Sequence, residues 1–268
     1  MVGAALFSLE GRVILLTGAA GRLGSAMSAA IAAAGAQLVM CGRSRQALEE
    51  CRSGLTEPGR SRAQVVTADI TRKEDVLALQ HEVERRFGVL HGLVNNAYAG
   101  RVGTLETIEA ADFAAACQYN LISPFMLVKA LRRLLEDGAT QSGSASSVVN
   151  VASMYGLVSP DPSVYGGSGK NNPIHYGATK GGLIQLTRYL ACHLGAAIRV
   201  NSITPGPFPD TSVDPGIPAF YEKLAAKVPL KRVGSPQEVA GPVVFLLSAA
   251  ASYVNGANLA VDGGWTAW

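Results

Sequence analysis

The chain has 268 residues, a charged fraction of 16% and a formal net charge of +3. Such a balance supplies no long-range field to recruit nucleic acid or an anionic membrane, and the length suits one large α/β domain or two small ones with a substantial core. Cys41, Cys51, Cys117 and Cys192 form no CxxC pair and do not cluster with the histidines, so free thiols and no metal are expected. The N-terminus, MVGAALFSLEGRVILLTG, lacks a basic leader and its apolar runs are far shorter than a bilayer span, which predicts a cytoplasmic protein with no membrane partner.

Taken in chain order, the run RVILLT (12–17) precedes a segment of helical period over 25–34. QLVMC (37–41) with 44–53, AQVVTA (63–68) with 71–87, and GLVNN (92–96) with 105–137 repeat the pattern. SVVNVA (147–152) is followed by 176–194, IRVNSI (198–203) by 236–249, and ANLAVDGG (257–264) closes the series. Strand and helix in alternation imply βαβ units with right-handed crossovers. The expected fold is a single α/β domain over 1–268, a Rossmann-like doubly wound parallel sheet with helices on both faces. Segments 159–173 and 204–218 break the rhythm with Pro, Gly, Ser and Asp, so both are expected as loops. Each follows a strand at its carboxyl end, the edge where such sheets bind ligands.

The first strand leads into TGAAGRLGSAM, where Gly18, Gly21 and Gly24 permit a tight turn and a close approach to a pyrophosphate at a helix N-terminus. Arg22 and Leu23 lie inside this loop, and Arg22 either reaches a phosphate or faces outward. The second strand ends at Gly42 and Arg43, where an NAD-preferring fold places a carboxylate. A guanidinium there pairs with a 2′-phosphate, so NADP(H) is expected over NAD(H), unless Arg43 is a surface residue at a helix start.

Tyr176 and Lys180 lie four apart on a predicted helix, which puts phenol and ammonium on one face. Tyr165 and Lys170 sit in a glycine-rich loop with nothing to fix their distance. A free phenol has a pKa of about 10, and lowering it to about 7 takes roughly 4 kcal/mol. One ammonium at about 4 Å in an effective dielectric of about 20 supplies that much. Nearby signals are Ser153 after the fifth strand, Asn95 and Asn96 after the fourth, and Asn120 in a long helix.

With these motifs in place, the sequence resembles the short-chain dehydrogenase/reductase family along essentially the whole chain. The resemblance implies Tyr176 as general acid and base, Lys180 lowering its pKa and holding the nicotinamide ribose, Ser153 orienting the substrate oxygen, and Asn120 holding a relay water. It further implies that Asn95, Asn96 and Ala97 line the cofactor cleft, that Asp69 and Ile70 flank the adenine, and that Pro205 and Gly206 pass beneath the carboxamide. It also implies a homo-oligomer, a dimer or tetramer, and that the 159–173 loop is a substrate-side insertion. Three departures stand out: the T-G-x-x-G-x-x-G spacing, Tyr98 where the family generally has glycine, and Thr211 displaced beyond Pro207 and Pro209.

Tyr98, Tyr165 and Lys170 are the candidate substrate contacts, the last two alternatively plain surface. The stretches ASMYG and VDGGWTAW resemble a gluconate 5-dehydrogenase-like branch, which implies hydride exchange with a secondary alcohol or ketone of the sugar-acid or polyol class, with Lys170 or Arg101 for a carboxylate. A 3-oxoacyl reductase is the alternative enzyme, and a non-catalytic NADPH-binding redox regulator the alternative outside enzymes.

Overall fold

A computed structural model describes residues 2–212, 216, 217 and 219–267. Residues 213–215 and 218 of the expected loop, and Trp268 of the tail, lie outside the described residues. Seven parallel strands form one sheet in the order β3-β2-β1-β4-β5-β6-β7. They are β1 (Val13–Thr17), β2 (Gln37–Gly42), β3 (Ala63–Thr67), β4 (Gly92–Asn95), β5 (Ser146–Val151), β6 (Ile198–Pro205) and β7 (Asn258–Val261). The helices are α1 (Val2–Leu6), α2 (Arg22–Ala33), α3 (Arg45–Ser53), α4 (Gly59–Arg62), α5 (Lys73–Phe87), α6 (Ala110–Cys117), α7 (Ser123–Ser142), α8 (Pro162–Tyr165), α9 (Ile174–Leu194), α10 (Phe220–Lys227) and α11 (Gln237–Leu247).

The doubly wound α/β architecture is the expected one. β1, β4, β5 and β6 are buried along their whole length, as strands of a parallel sheet covered on both faces should be. One core packs α2 and α11 on the sheet through Met27, Ile31, Val243 and Leu246. The other packs α5 and α7 through Leu79, Val83, Leu127 and Leu131. Polar strand residues bond inside the sheet: Asn95 and Asn150 are register partners, and the Asn95 Nδ2 donates to Asn150 Oδ1 at 2.8 Å. The Asn150 Nδ2 in turn donates to Thr187 Oγ1 on α9 at 2.9 Å. All four cysteines are free, and burial pushes the Cys41 thiol up to about 12.

Several boundaries differ from expectation. The helix foreseen over 105–137 begins at Ala110, because Glu109 and Asp112 form a reciprocal capping box. It then passes through a π-helical turn, Gln118–Ile122, before α7. The first loop holds the short helix α8, started by Asp161, whose carboxylate accepts from Ser163 N at 2.8 Å, and by Pro162 in its first turn. The second loop starts only after Pro205, since Thr204 and Pro205 pair with β7, and it runs into α10, which the sequence reading missed.

The turn from β1 into α2 depends on Gly24, where an added Cβ would stand 2.0 Å from the Gly18 carbonyl oxygen. Gly241 on α11 has nothing within 4 Å of that position. Gly24→Ala should therefore destabilise the fold by about 1–3 kcal/mol through overpacking, while Gly241→Ala should stabilise it by about 0.5–1 kcal/mol through helix propensity. Denaturant unfolding of both variants checks this, and equal effects would contradict the packing account.

Candidate active site

Strand order reverses between β1 and β4, which opens a crevice at their carboxyl ends. Side chains stitch its floor together. The Thr17 Oγ1 accepts from the backbone N–H groups of Asn96 at 3.0 Å and Ala97 at 3.1 Å, and donates to Val94 O at 3.2 Å. The Asn96 Nδ2 donates to the carbonyls of Thr17 at 3.1 Å and Gly18 at 3.0 Å. Gly18 has φ +63, and a Cβ there would meet Ala97 Cα at 2.9 Å, so only glycine lets the two loops touch. Thr17 was missed by the sequence reading, though it stands directly before the glycine loop.

The N-terminus of α2 opens into this crevice. No side chain caps it, and Gly21, Arg22, Leu23 and Gly24 line a cavity of about 570 Å³ together with Gly18, Asn96, Ala97, Pro205 and Gly206. Uncapped amides at a positive helix end fit an anionic diphosphate. Arg22 lines the same cavity, yet its guanidinium is engaged by Asp210 at 3.2 Å and by the Pro209 carbonyl at 2.5 Å. Gly206 is required by packing, since a Cβ would lie 2.5 Å from Asp262 Cα. Thr211 does not line the cavity.

Ser153, Tyr176 and Lys180 line the other end of the cavity. Ser153 caps a 3₁₀ turn after β5, its Oγ accepting from Tyr155 N at 3.2 Å. Tyr176 and Lys180 share one face of α9, as their spacing predicts. Gly156 and Gly177 bring that helix close, since a Cβ on Gly177 would lie 2.6 Å from Tyr155 O. The Lys180 Nζ donates to Val151 O at 2.7 Å and lies 5.8 Å from the Tyr176 ring centroid. Asn120 is buried in the π-helical turn, its amide exchanging hydrogen bonds with the Ala99 backbone at 3.0 Å and 3.2 Å. It does not line the cavity.

Burial dominates the electrostatics of the pair. Burial pushes the Tyr176 phenol above its ordinary value, and a hydrogen bond from Ser153 works the other way. Burial also lowers the Lys180 ammonium to about 8. Desolvation is the largest influence on both groups, and it disfavours the charged form of each. Among the described residues, no acidic side chain lines the cavity.

The remaining wall carries Met154, Tyr155, Tyr165, Asn172, Phe208, Phe220 and Leu224. Tyr165 and Asn172 come from the 159–173 loop, so part of that loop faces the cavity. Lys170 does not: it is exposed, and its Nζ lies 3.2 Å from the point a Cβ on Gly216 would occupy. Arg101 is likewise outside, paired with Asp112 at 2.7 Å. Phe220 and Leu224 were not foreseen; their i, i+4 spacing on α10 was the available signal.

A second cavity of about 420 Å³ continues the crevice past Gly18, Gly21, Ala97 and Tyr98 toward Arg43, Ser44, Ala68, Ile70 and Tyr119. The Arg43 guanidinium lies 5.4 Å over the Tyr119 ring. Asp69 stands behind this cavity, not on its wall. Burial raises its carboxyl, but hydrogen bonds from Thr71 and the charges of Arg43 and Arg72 outweigh that and hold it below its usual range. Among the described residues no helix is long and apolar enough to cross a membrane, and no three potential metal ligands converge.

Known proteins share this organisation. A family model described as Enoyl-(Acyl carrier protein) reductase matches residues 18–266. An uncharacterized short-chain type dehydrogenase/reductase, y4vI of Sinorhizobium fredii, is 36% identical over 95% of this chain, and the match spans 44% of that protein's length. The 2-dehydro-3-deoxy-D-gluconate 5-dehydrogenase of Formosa agariphila is 31% identical over 97% of this chain and 94% of its own. Among solved structures, the Pseudomonas aeruginosa RhlG/NADP active-site complex superposes with a TM-score of 0.87 at 28% identity, covering 97% of this chain and 98% of that one. Sheet order, crevice and sequence thus agree, and the chain belongs to the short-chain dehydrogenase/reductase family, whose members act on CH–OH groups.

Proposed function

We propose that this chain is an NADP(H)-preferring oxidoreductase that interconverts a secondary alcohol and its ketone, with Tyr176 as the proton-transferring group. The observation that carries the reading is one continuous crevice in which an uncapped helix end, Ser153, Tyr176 and Lys180 share a wall. Gly18, Gly21, Leu23 and Gly24 would hold the diphosphate, Asn96, Ala97, Pro205 and Gly206 the nicotinamide half, and Arg43, with Asp69 and Ile70 behind it, the adenosine half. The bound nicotinamide supplies or accepts the hydride at the substrate carbon.

The chain's own part is the proton. Ser153 donates a hydrogen bond to the substrate oxygen and sets it against Tyr176. In reduction the Tyr176 O–H bond breaks and its proton passes to the oxygen of the former carbonyl, leaving a phenolate beside Ser153 and Lys180. Lys180 holds a ribose hydroxyl and stabilises that phenolate, and Asn120 supports the relay that returns a proton to it. A phenol kept protonated by burial is already in the form that ketone reduction needs near neutrality.

Substrate chemistry follows from the wall. Ser153, Tyr155, Tyr165, Tyr176 and Asn172 line the cavity together with Met154, Phe208, Phe220 and Leu224. This supports a neutral hydroxylated ketone or polyol. It weakens the sugar-acid reading, because Lys170 and Arg101 stand outside the cavity and Arg22 is already paired.

Three measurements test the proposal. Tyr176→Phe should lower kcat by about 10²- to 10⁴-fold with NADPH affinity retained, and an unchanged rate on every substrate of a hydroxyketone panel would remove Tyr176 from the chemistry. Arg43→Asp should reduce the kcat/KM preference for NADPH over NADH by about tenfold to a hundredfold; a wild-type preference for NADH would refute the cofactor assignment. Reduction should hold a flat kcat/KM at acidic and neutral pH, declining only as pH rises toward the Lys180 value of about 8, whereas alcohol oxidation should climb with pH. A reduction rate that rises through neutrality would contradict the protonated-phenol account.

A further inference from the structure

Among the described residues, only Gly18, Gly21, Ala97 and Tyr98 border both cavities of the crevice. Three of these residues have little or no side chain, so Tyr98 is the one bulky group at the neck. Its ring meets that of Tyr176 edge-on, with centroids 5.1 Å apart and an interplanar angle of 87°. The same ring lies 5.8 Å from the Lys180 Nζ. Its hydroxyl is seated beside Gly100, where an added Cβ would stand 3.1 Å from Tyr98 Oη and 2.8 Å from His175 Cε1. The seat therefore exists because residue 100 has no side chain.

A sugar hydroxyl bonded to an ammonium needs about 3 Å, and sugar carbons need about 3.5–4 Å from a ring face. Together these exceed the 5.8 Å between the Lys180 Nζ and the Tyr98 centroid. A ribose cannot enter between them while the ring keeps its place.

We infer that Tyr98 gates the dinucleotide: its ring rests on the Tyr176–Lys180 pair and must swing off that pair before the nicotinamide half is seated. The inference rests on the proposed binding of a dinucleotide across both cavities. Tyr98 is 44% exposed, so the ring has open solvent to move into and no core to disrupt. The apparent affinity is reduced by the fraction of molecules whose ring is away from the neck.

Stopped-flow measurement of NADPH binding, read by the fluorescence of the reduced cofactor, tests the gate without turnover. Tyr98→Gly should bind NADPH faster and about fivefold to tenfold more tightly, and Tyr98→Phe, which keeps the ring, should behave as wild type. Tyr98→Ala should match Tyr98→Gly and guards against a loop effect special to glycine. Association and affinity unchanged in both small variants would overturn the gate, and weaker binding would overturn it too by making the ring a holding contact. If wild type and all variants fail to bind NADPH or NADH, the dinucleotide reading falls and the gate with it. Equal binding by all overturns the gate alone.

Discussion

A phenol and an ammonium stand along one wall of a cleft, Lys180 buried and Tyr176 partly so, and no described residue of the lining offers a carboxylate to balance them. Burial disfavours charge on both groups, so Tyr176 is driven up and Lys180 down. The surroundings only partly relieve this: Val151 O accepts from the Lys180 Nζ, and Ser153 approaches the phenol. Such a site is poised for a ligand hydroxyl that accepts a hydrogen bond from the lysine and a substrate oxygen that meets the tyrosine. A dinucleotide and a carbonyl substrate meet those two needs.

The sheet makes this arrangement possible. Reversal of strand order at β1 and β4 leaves a gap that no crossover covers, and Thr17, Asn96 and Gly18 fasten its floor. β5 and β6 then carry Ser153 and Gly206 to the same edge, while α9 lies across the end of β5 and presents Tyr176 and Lys180. Close backbone approaches at Gly156, Gly177 and Gly206 set how near these elements come. Substrate-side walls are added from outside the regular alternation, by the 159–173 loop and by α10. Scaffold and specificity thus come from different parts of the chain.

Much of this was legible in the sequence, for identifiable reasons. Short β-branched or apolar runs at 12–17, 147–152 and 198–203, alternating with segments of helical period, marked the strands. The four-residue spacing of Tyr176 and Lys180 placed both on one helical face, and the glycine spacing located the α2 turn. What was not legible depended on tertiary surroundings. The direction of the Tyr176 shift turned on burial, which a charge estimate from one neighbour ignores. Lys170 looked like a substrate contact from its loop, but only Tyr165 and Asn172 of that loop face the cavity. α10 follows a Pro-rich stretch that masks its start, so Phe220 and Leu224 went unnoticed. The π-helical turn at Asn120 has no period that a short apolar pattern reveals.

The central claim is that burial holds Tyr176 protonated until a cofactor's positive charge arrives. Tyrosinate difference titration of the wild type against Tyr176→Phe, without ligand and then saturated with oxidised dinucleotide, addresses it directly. The account predicts a phenol that ionises above the ordinary tyrosine range when free and clearly below it when the oxidised cofactor is bound. An identical titration in the two states, or one already depressed in the free protein, would contradict it.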